Sequence, residues 1–412
     1  MPTRDRKSKR SRRDSRAHAR KDGREPRLAR VGFALSAIGL LLSGAALVTD
    51  PHRFSFAYLW GFSFLWMAVL GCLFFVVLQH LTRSIWSVVI RRVAEAVAAH
   101  GWWLALLFIP ILVFAWRSDS FHLFAWLDTK HVLHDAVLRG KRPYLNPAFF
   151  TLRGAGFVVL WALFAWFYSS RSARQDRQRG DNAASLAMRR WSPVFMVAFA
   201  ITITFASFDW LMSLNPHWFS TIFGVYVFAG MFATALALVT LGTLYLHRAG
   251  RLESAELRPD HFYPLGTLLF GMSCFWAYIA FSQFMLIWYG NLPEETVFFS
   301  VRARGGWKVV SIALPLLRFA LPFAVLIGRR TKTHPVALAA VSVLVLLGEV
   351  LDLYWIIMPT AHGSAPVLGW PEIGPMFFSM GLLLLLWTRY LARHSPVALG
   401  DPLWERSREF HL

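Results

Sequence analysis

The chain has 412 residues, 56% of them hydrophobic, with 19 Trp, 36 Phe and a formal net charge of +20. That composition excludes a water-soluble protein of this length. The charge does not mark a nucleic-acid binder, because the first 30 residues alone hold 13 Lys or Arg against four acids.

Residues 1–29 read as a disordered basic cytoplasmic tail that touches anionic lipid. A retained first helix, rather than a cleaved signal, follows it. Ten apolar runs are then long enough to cross a ~30 Å hydrocarbon layer. They cover 30–49, 57–80, 88–115, 149–170, 191–214, 216–246, 263–290, 307–328, 335–358 and 372–392. A bilayer interior offers no water to a free backbone, so spanning segments are helices, and these runs are too uniformly apolar for barrel strands. The expected fold is all-α and integral to the membrane, with a ten-helix domain over 30–393 and a cytoplasmic tail over 394–412. Placing the N-terminus inside puts 32 Lys and Arg on inner segments and ten on outer ones. The positive-inside rule therefore predicts both termini in the cytoplasm. The outer loop 116–150 breaks that rule with five basic residues, which marks it as folded or partner-bound.

Ionisable groups inside spans are costly and each needs a reason. Toward the cytoplasm stand Gln79, His80, Arg91, Arg92 and Glu95; Arg91 and Glu95 are an i,i+4 pair. An ordinary account is that these long side chains snorkel to water. In the loop, Asp128, His131, His134 and Asp135 recur at helical spacing and suit a partner-facing amphipathic helix. Nothing in the sequence completes a metal site around its two His.

Span five carries Asp209 about 8 Å below its outer end. Asn215 and Pro216 fit the N-cap and first position of span six, predicting a hairpin with almost no loop. His217 then sits at a helix N-terminus and Asp209 near a C-terminus, so both helix dipoles favour neutral forms. Such a pair suits a proton relay or a quinol headgroup, and helix capping is the competing account. Trp210 and Trp218 are expected at the membrane interface. Gln283 lies about 10 Å from the outer end of span seven, Arg318 about 17 Å down span eight, and Glu349 about 14 Å from the outer end of span nine. Asp352 shares the face of Glu349. These depths predict a buried Arg318–Glu349 pair, with Pro315 and Pro322 freeing carbonyls around Arg318. No nucleotide loop, nucleophile elbow or set of paired intramembrane haem ligands is present, so any electrons would pass through partners.

The stretches "GCLFFVVLQHLTRSIWSVVIRRVAEA" (71–96), "KRPYLNPAFFTLRG" (141–154), "FDWLMSLNPHWFSTIFGVYVFAG" (208–230), "FWAYIAFSQFMLIWYGNLPEET" (275–296) and "GEVLDLYWIIMP" (348–359) resemble a known membrane family. It is the smaller NrfD-like (ActF-type) subunit of bacterial alternative complex III, a quinol:cytochrome c (or other periplasmic acceptor) oxidoreductase. The resemblance covers nearly the whole chain outside the basic tail. It implies two four-helix bundles, spans 2–5 and 6–9, with two peripheral helices, in the bacterial inner membrane. It also implies a larger NrfD-like paralogue, a periplasmic iron–sulfur subunit and multihaem cytochromes c as partners. Haem c and iron–sulfur clusters then belong to those partners, this chain binds no cofactor except for a possible quinone, and loop 116–150 docks a periplasmic subunit.

Within that resemblance, His80, Arg91, Arg92, Glu95, Asp209, His217, Gln283, Arg318, Glu349 and Asp352 form an expected proton path. Asp209 and His217 are a weaker quinone-binding pair. A secondary transporter and a purely structural anchor are the rival classes; buried charges and proline-broken spans suit the first.

Overall fold

The computed structural model describes residues 25–178, 182–363 and 365–412, without the side chains of 25–26, 118–119 and 129–131. Most of the expected basic tail, residues 1–24, thus lies outside the described residues. The described residues contain helices and no strand. Ten helices are long and apolar enough to cross a membrane: α1 (Arg27–Thr49), α2 (Pro51–Leu81), α3 (Arg91–Trp116), α4 (Pro147–Arg177), α5 (Ala183–Leu214), α6 (Phe223–Arg248), α7 (Pro259–Gly290), α8 (Trp307–Leu326), α9 (Pro335–His362) and α10 (Trp370–Arg393). The chain is a multi-pass membrane protein. Below, the proximal face is the one where α1 begins, and the distal face is the opposite one.

Local sequence explains where several spans begin. Asp50 caps α2 by accepting from the Arg53 N–H at 3.1 Å, and Asn146 caps α4 by accepting from Phe149 N–H at 2.9 Å. In both cases proline follows in the first turn, where no N–H is needed. Span three is broken at Ala99–His100, between Arg91–Ala98 and Gly101–Trp116. Its first segment is wholly buried, which is why its charges interrupt an otherwise apolar run. Span eight widens into a single π-type turn at Leu316–Ala320. Pro322 has no N–H to return to the carbonyl of Arg318, four residues back.

The predicted hairpin at Asn215–Pro216 is not formed. Helix α6 begins at Phe223, after the 3₁₀ turn Met212–Leu214 and an irregular stretch. Trp218 explains the shift, because it is 3% exposed and stacks on Phe298 at 4.0 Å. Trp210 is fully buried against Trp66 and Phe108. Neither tryptophan serves as an interfacial anchor; both are core. Segment 394–412 also differs from a free tail. It folds back on the proximal face and buries Asp401, Trp404 and Ser407.

Helix α2 is the hub, buried along nearly its whole length. It packs on α3, α5, α6, α9 and α10. Helix α3 lies on α4 and α4 on α5, while α6 touches α7 and α9, and α8 touches both α7 and α9. Helix α1 is held mainly by α10. Their backbones approach so closely that a Cβ on Gly39 would come within 2.2 Å of the Phe378 nitrogen. Gly39→Val is therefore expected to cost about 1–3 kcal/mol by overpacking, read as a lower unfolding midpoint. Gly44→Val is the control, since an added Cβ there meets nothing within 4 Å.

Candidate functional site

Two groups of buried charge stand inside the helical domain. The first joins α6, α7, α8 and α9. Arg318 donates from Nη2 to Glu349 Oε2 at 2.7 Å and from Nη1 to Asp352 Oδ2. The Tyr226 hydroxyl donates to the other oxygen of Asp352, and Trp276 Nε1 donates to Oδ2 at 3.1 Å. The guanidinium also lies over the Trp276 ring, 4.5 Å from its centroid. All three charged side chains are at most 3% exposed. Two glycines make the room: a Cβ on Gly348 would meet Arg318 Cγ at 2.5 Å, and one on Gly230 would meet Glu349 Oε2 at 2.8 Å. The similar depths read from the sequence are matched by contacts between these side chains. One guanidinium nonetheless faces two carboxylates, so full ionisation would leave a buried net charge of −1.

The second group gathers near the proximal face. Arg91 pairs with Glu95 at 2.9 Å and with Asp401 at 2.7 Å. Arg92 pairs with Glu95 at 3.1 Å and with Asp176 at 2.7 Å. Ser172 donates to Glu95 at 2.6 Å, and the Gly400 N–H donates to Asp176 at 3.0 Å. Snorkelling is not what these residues do: Arg91, Arg92 and Glu95 are buried and each is ion-paired. His80 is buried beside them, its ring 5.7 Å from that of Tyr168, and its Nε2 meets no partner among the described residues. Here, too, carboxylates outnumber guanidinia, three to two. Gln79 is buried at the same level.

No protein-family model matches this sequence, and no curated protein does. The site is therefore judged on its own geometry.

Asp209 and His217 are not brought together. Asp209 is fully buried and takes two hydrogen bonds from Arg153, at 2.8 and 3.0 Å. The Arg153 guanidinium also packs over the Tyr144 ring at 3.8 Å. Asp209 thus has a bidentate partner on another helix that the sequence reading did not name. The signal for Arg153 was available, because it lies about 9 Å into α4, at the depth of Asp209. His217 is half exposed and contacts Asp135 Oδ2 at 2.5 Å. That hydrogen bond holds the Asp135 carboxyl below its ordinary value, helped by the N–H of Leu138. The weak quinone-binding pair is thus separated into two unrelated contacts.

Of the other loop residues, Asp128 and His134 are exposed, and the His131 side chain lies outside the described residues. Among the described residues no three His, Cys, Asp or Glu converge as a metal site. Gln283 does not reach the Arg318 group; it lines a large cavity between α7 and α8. Sequence reasoning also missed Asp176, Asp401, Tyr226 and Trp276. It missed the pair in which Arg53 donates twice to Glu372, both at 2.9 Å, tying α2 to α10.

Proposed function

We propose that this chain is the membrane subunit of a respiratory or photosynthetic quinol:electron-acceptor oxidoreductase of the alternative complex III type, and that it conducts protons for that complex. The observation that carries the proton role is the charge count. The Arg318 group holds one more buried carboxylate than guanidinium, so it has a place for one exchangeable proton at little electrostatic cost; in the proximal group the third carboxylate, Asp176, is partly exposed. In the first group that proton moves between Glu349 and Asp352, with the Tyr226 hydroxyl as the neighbouring donor.

Between the groups lie buried hydroxyls. Ser342 stands two turns from Glu349 toward the proximal face, and Thr234 lies beside the Glu349 carboxylate. Thr243 is farther along α6. Ser342 Oγ, Thr243 Oγ1 and His80 Nε2 are buried without a protein partner among the described residues. Buried unpaired polar atoms are where ordered water binds, and water there would join Glu349 to His80 and Glu95. The path so drawn keeps His80, Arg91, Arg92, Glu95, Arg318, Glu349 and Asp352. It omits Asp209, His217 and Gln283.

The helix neighbours are compatible with the two four-helix bundles that the family resemblance implies: α2 packs on α3 and α5 and α4 on both of those, while α6 and α8 each pack on α7 and α9. On this reading the proximal face is cytoplasmic, and the larger paralogue, the iron–sulfur subunit and the multihaem cytochromes supply the redox groups.

Two measurements test this. Purification of the tagged chain should bring down multihaem cytochromes and an iron–sulfur protein; their absence would end the complex assignment. In assembled complex, Glu349→Gln should lower protons released per electron while Asp209→Asn does not. An unchanged ratio for Glu349→Gln would end the proton role.

A further inference from the structure

The distal halves of α7 and α8, with the short helix Pro293–Arg302 between them, enclose a cavity of 1190 Å³. Small-molecule clefts usually hold roughly 300–1,000 Å³, so this one suits a larger occupant. It opens sideways through exposed aromatic residues: Tyr278 is 65% exposed, Phe281 62% and Trp288 68%. Its walls are chiefly apolar and aromatic.

Its charged groups are few and of one sign. Arg302 and Lys308 line it, and no carboxylate among the described residues does. Arg302 is 2% exposed and makes hydrogen bonds to carbonyls only, those of Phe298, Trp355 and Ile356, at 2.8 to 2.9 Å. Pro359 frees the Trp355 carbonyl, because it has no N–H to return four residues back. Burial lowers the Arg302 pKa to about 9, which still leaves a cation at neutral pH. Three of its five N–H groups are used on the carbonyls, and its charge meets no acid among the described residues.

Gln283 is the independent sign of a ligand. It is 5% exposed, it lines the cavity, and its amide makes no hydrogen bond among the described residues. Its amide therefore has donors and an acceptor free for an occupant of the cavity. Helix α7 has 32 residues, about 48 Å, enough to cross the core and both headgroup layers. Gln283, about 10 Å from its distal end, therefore stands where headgroups give way to hydrocarbon.

We propose that this groove binds one anionic phospholipid. Its phosphate sits against Arg302 and Lys308, an ester carbonyl accepts from the Gln283 amide, and its acyl chains run along Phe281, Phe284, Phe319 and Phe323. Basic pockets between membrane helices recognise anionic headgroups by this combination of charge and apolar wall. The lipid covers Tyr226 and Trp276, which line the same cavity and hydrogen-bond Asp352. It thereby closes the Arg318 group off from the side of the bilayer.

The test is native mass spectrometry of the full chain, with whatever subunits accompany it, exchanged into nanodiscs of mixed phosphatidylglycerol and phosphatidylcholine. One phosphatidylglycerol should survive delipidation. Gln283→Leu combined with Lys308→Gln should weaken its retention about tenfold at an unchanged unfolding midpoint, since neither side chain holds another part of the fold. Equal retention of phosphatidylcholine, release of an isoprenoid quinone instead, or full retention by the double variant would each overturn the proposal. The readout is lipid on this chain, so it is unaffected by whether cytochromes co-purify.

Discussion

Arg318→Met is expected to destabilise the protein by about 3–5 kcal/mol, the cost of stranding a buried partner charge. Methionine replaces much of the apolar stem, which lies against Gly348, so packing there changes little. What changes is that Glu349 and Asp352 remain side by side, at most 3% exposed, with no cation between them. Four helices meet at this point, so the loss is not local. Adding Glu349→Gln and Asp352→Asn to the same protein should recover most of the stability, because buried ion groups can be replaced by neutral ones at little net cost. Both proteins are compared by unfolding midpoint in detergent. A single variant within about 1 kcal/mol of the parent would mean that the group is neutralised some other way.

This group was largely legible in the sequence, and the reason is physical. An arginine, a glutamate and an aspartate stand out in apolar runs, and a helix converts residue number into depth at a fixed rise. Tyr226 and Trp276 were not legible, because aromatic residues in a span look like ordinary core. The ten spans were legible for the same reason as the charges, since each must carry its own apolar length. Where one began was less so. Asn215–Pro216 obeys helix-start rules, yet burial of Trp218 against Phe298 overrides them and moves the start of α6 to Phe223. Tertiary contacts of this kind leave no periodic trace. Asp209 shows the same limit: its partner, Arg153 of α4, gives it two charge-assisted hydrogen bonds from a helix far off in sequence.

The proximal group was half legible, and its hidden half sets the last expectation. Arg91 and Glu95 announce themselves four residues apart, whereas Asp176 and Asp401 follow the ends of their spans and look solvated. Asp401 nonetheless anchors segment 394–412. Its carboxylate takes a hydrogen bond from Arg91 at 2.7 Å and one from its own turn, the Leu403 N–H, at 2.9 Å. Nearby, Val89 N–H donates to the Ser407 hydroxyl at 3.3 Å, and His261 Nε2 lies 2.7 Å from the Ser407 carbonyl oxygen.

Arg91→Met is therefore expected to release this segment before the spans unfold, as the least stable cooperative unit, with a local cost of about 3–5 kcal/mol. Hydrogen exchange over 399–407 reads the release directly. Asp401→Leu in the same chain should restore protection, because Glu95 keeps Arg92. Acid should mimic the single variant. Burial pushes the Asp401 carboxyl up, but Arg91 pulls it down further, leaving it below its ordinary value. A depressed acid stabilises fully above its unfolded value, about 3.9, and loses that contribution as pH falls through its lower folded value. Protection of 399–407 should thus hold at neutral pH and fail only below about pH 4. Protection that fades between pH 7 and 5 would instead point to a histidine: His261 at Ser407, His80 beside Asp401, or His394 and His411 within the segment.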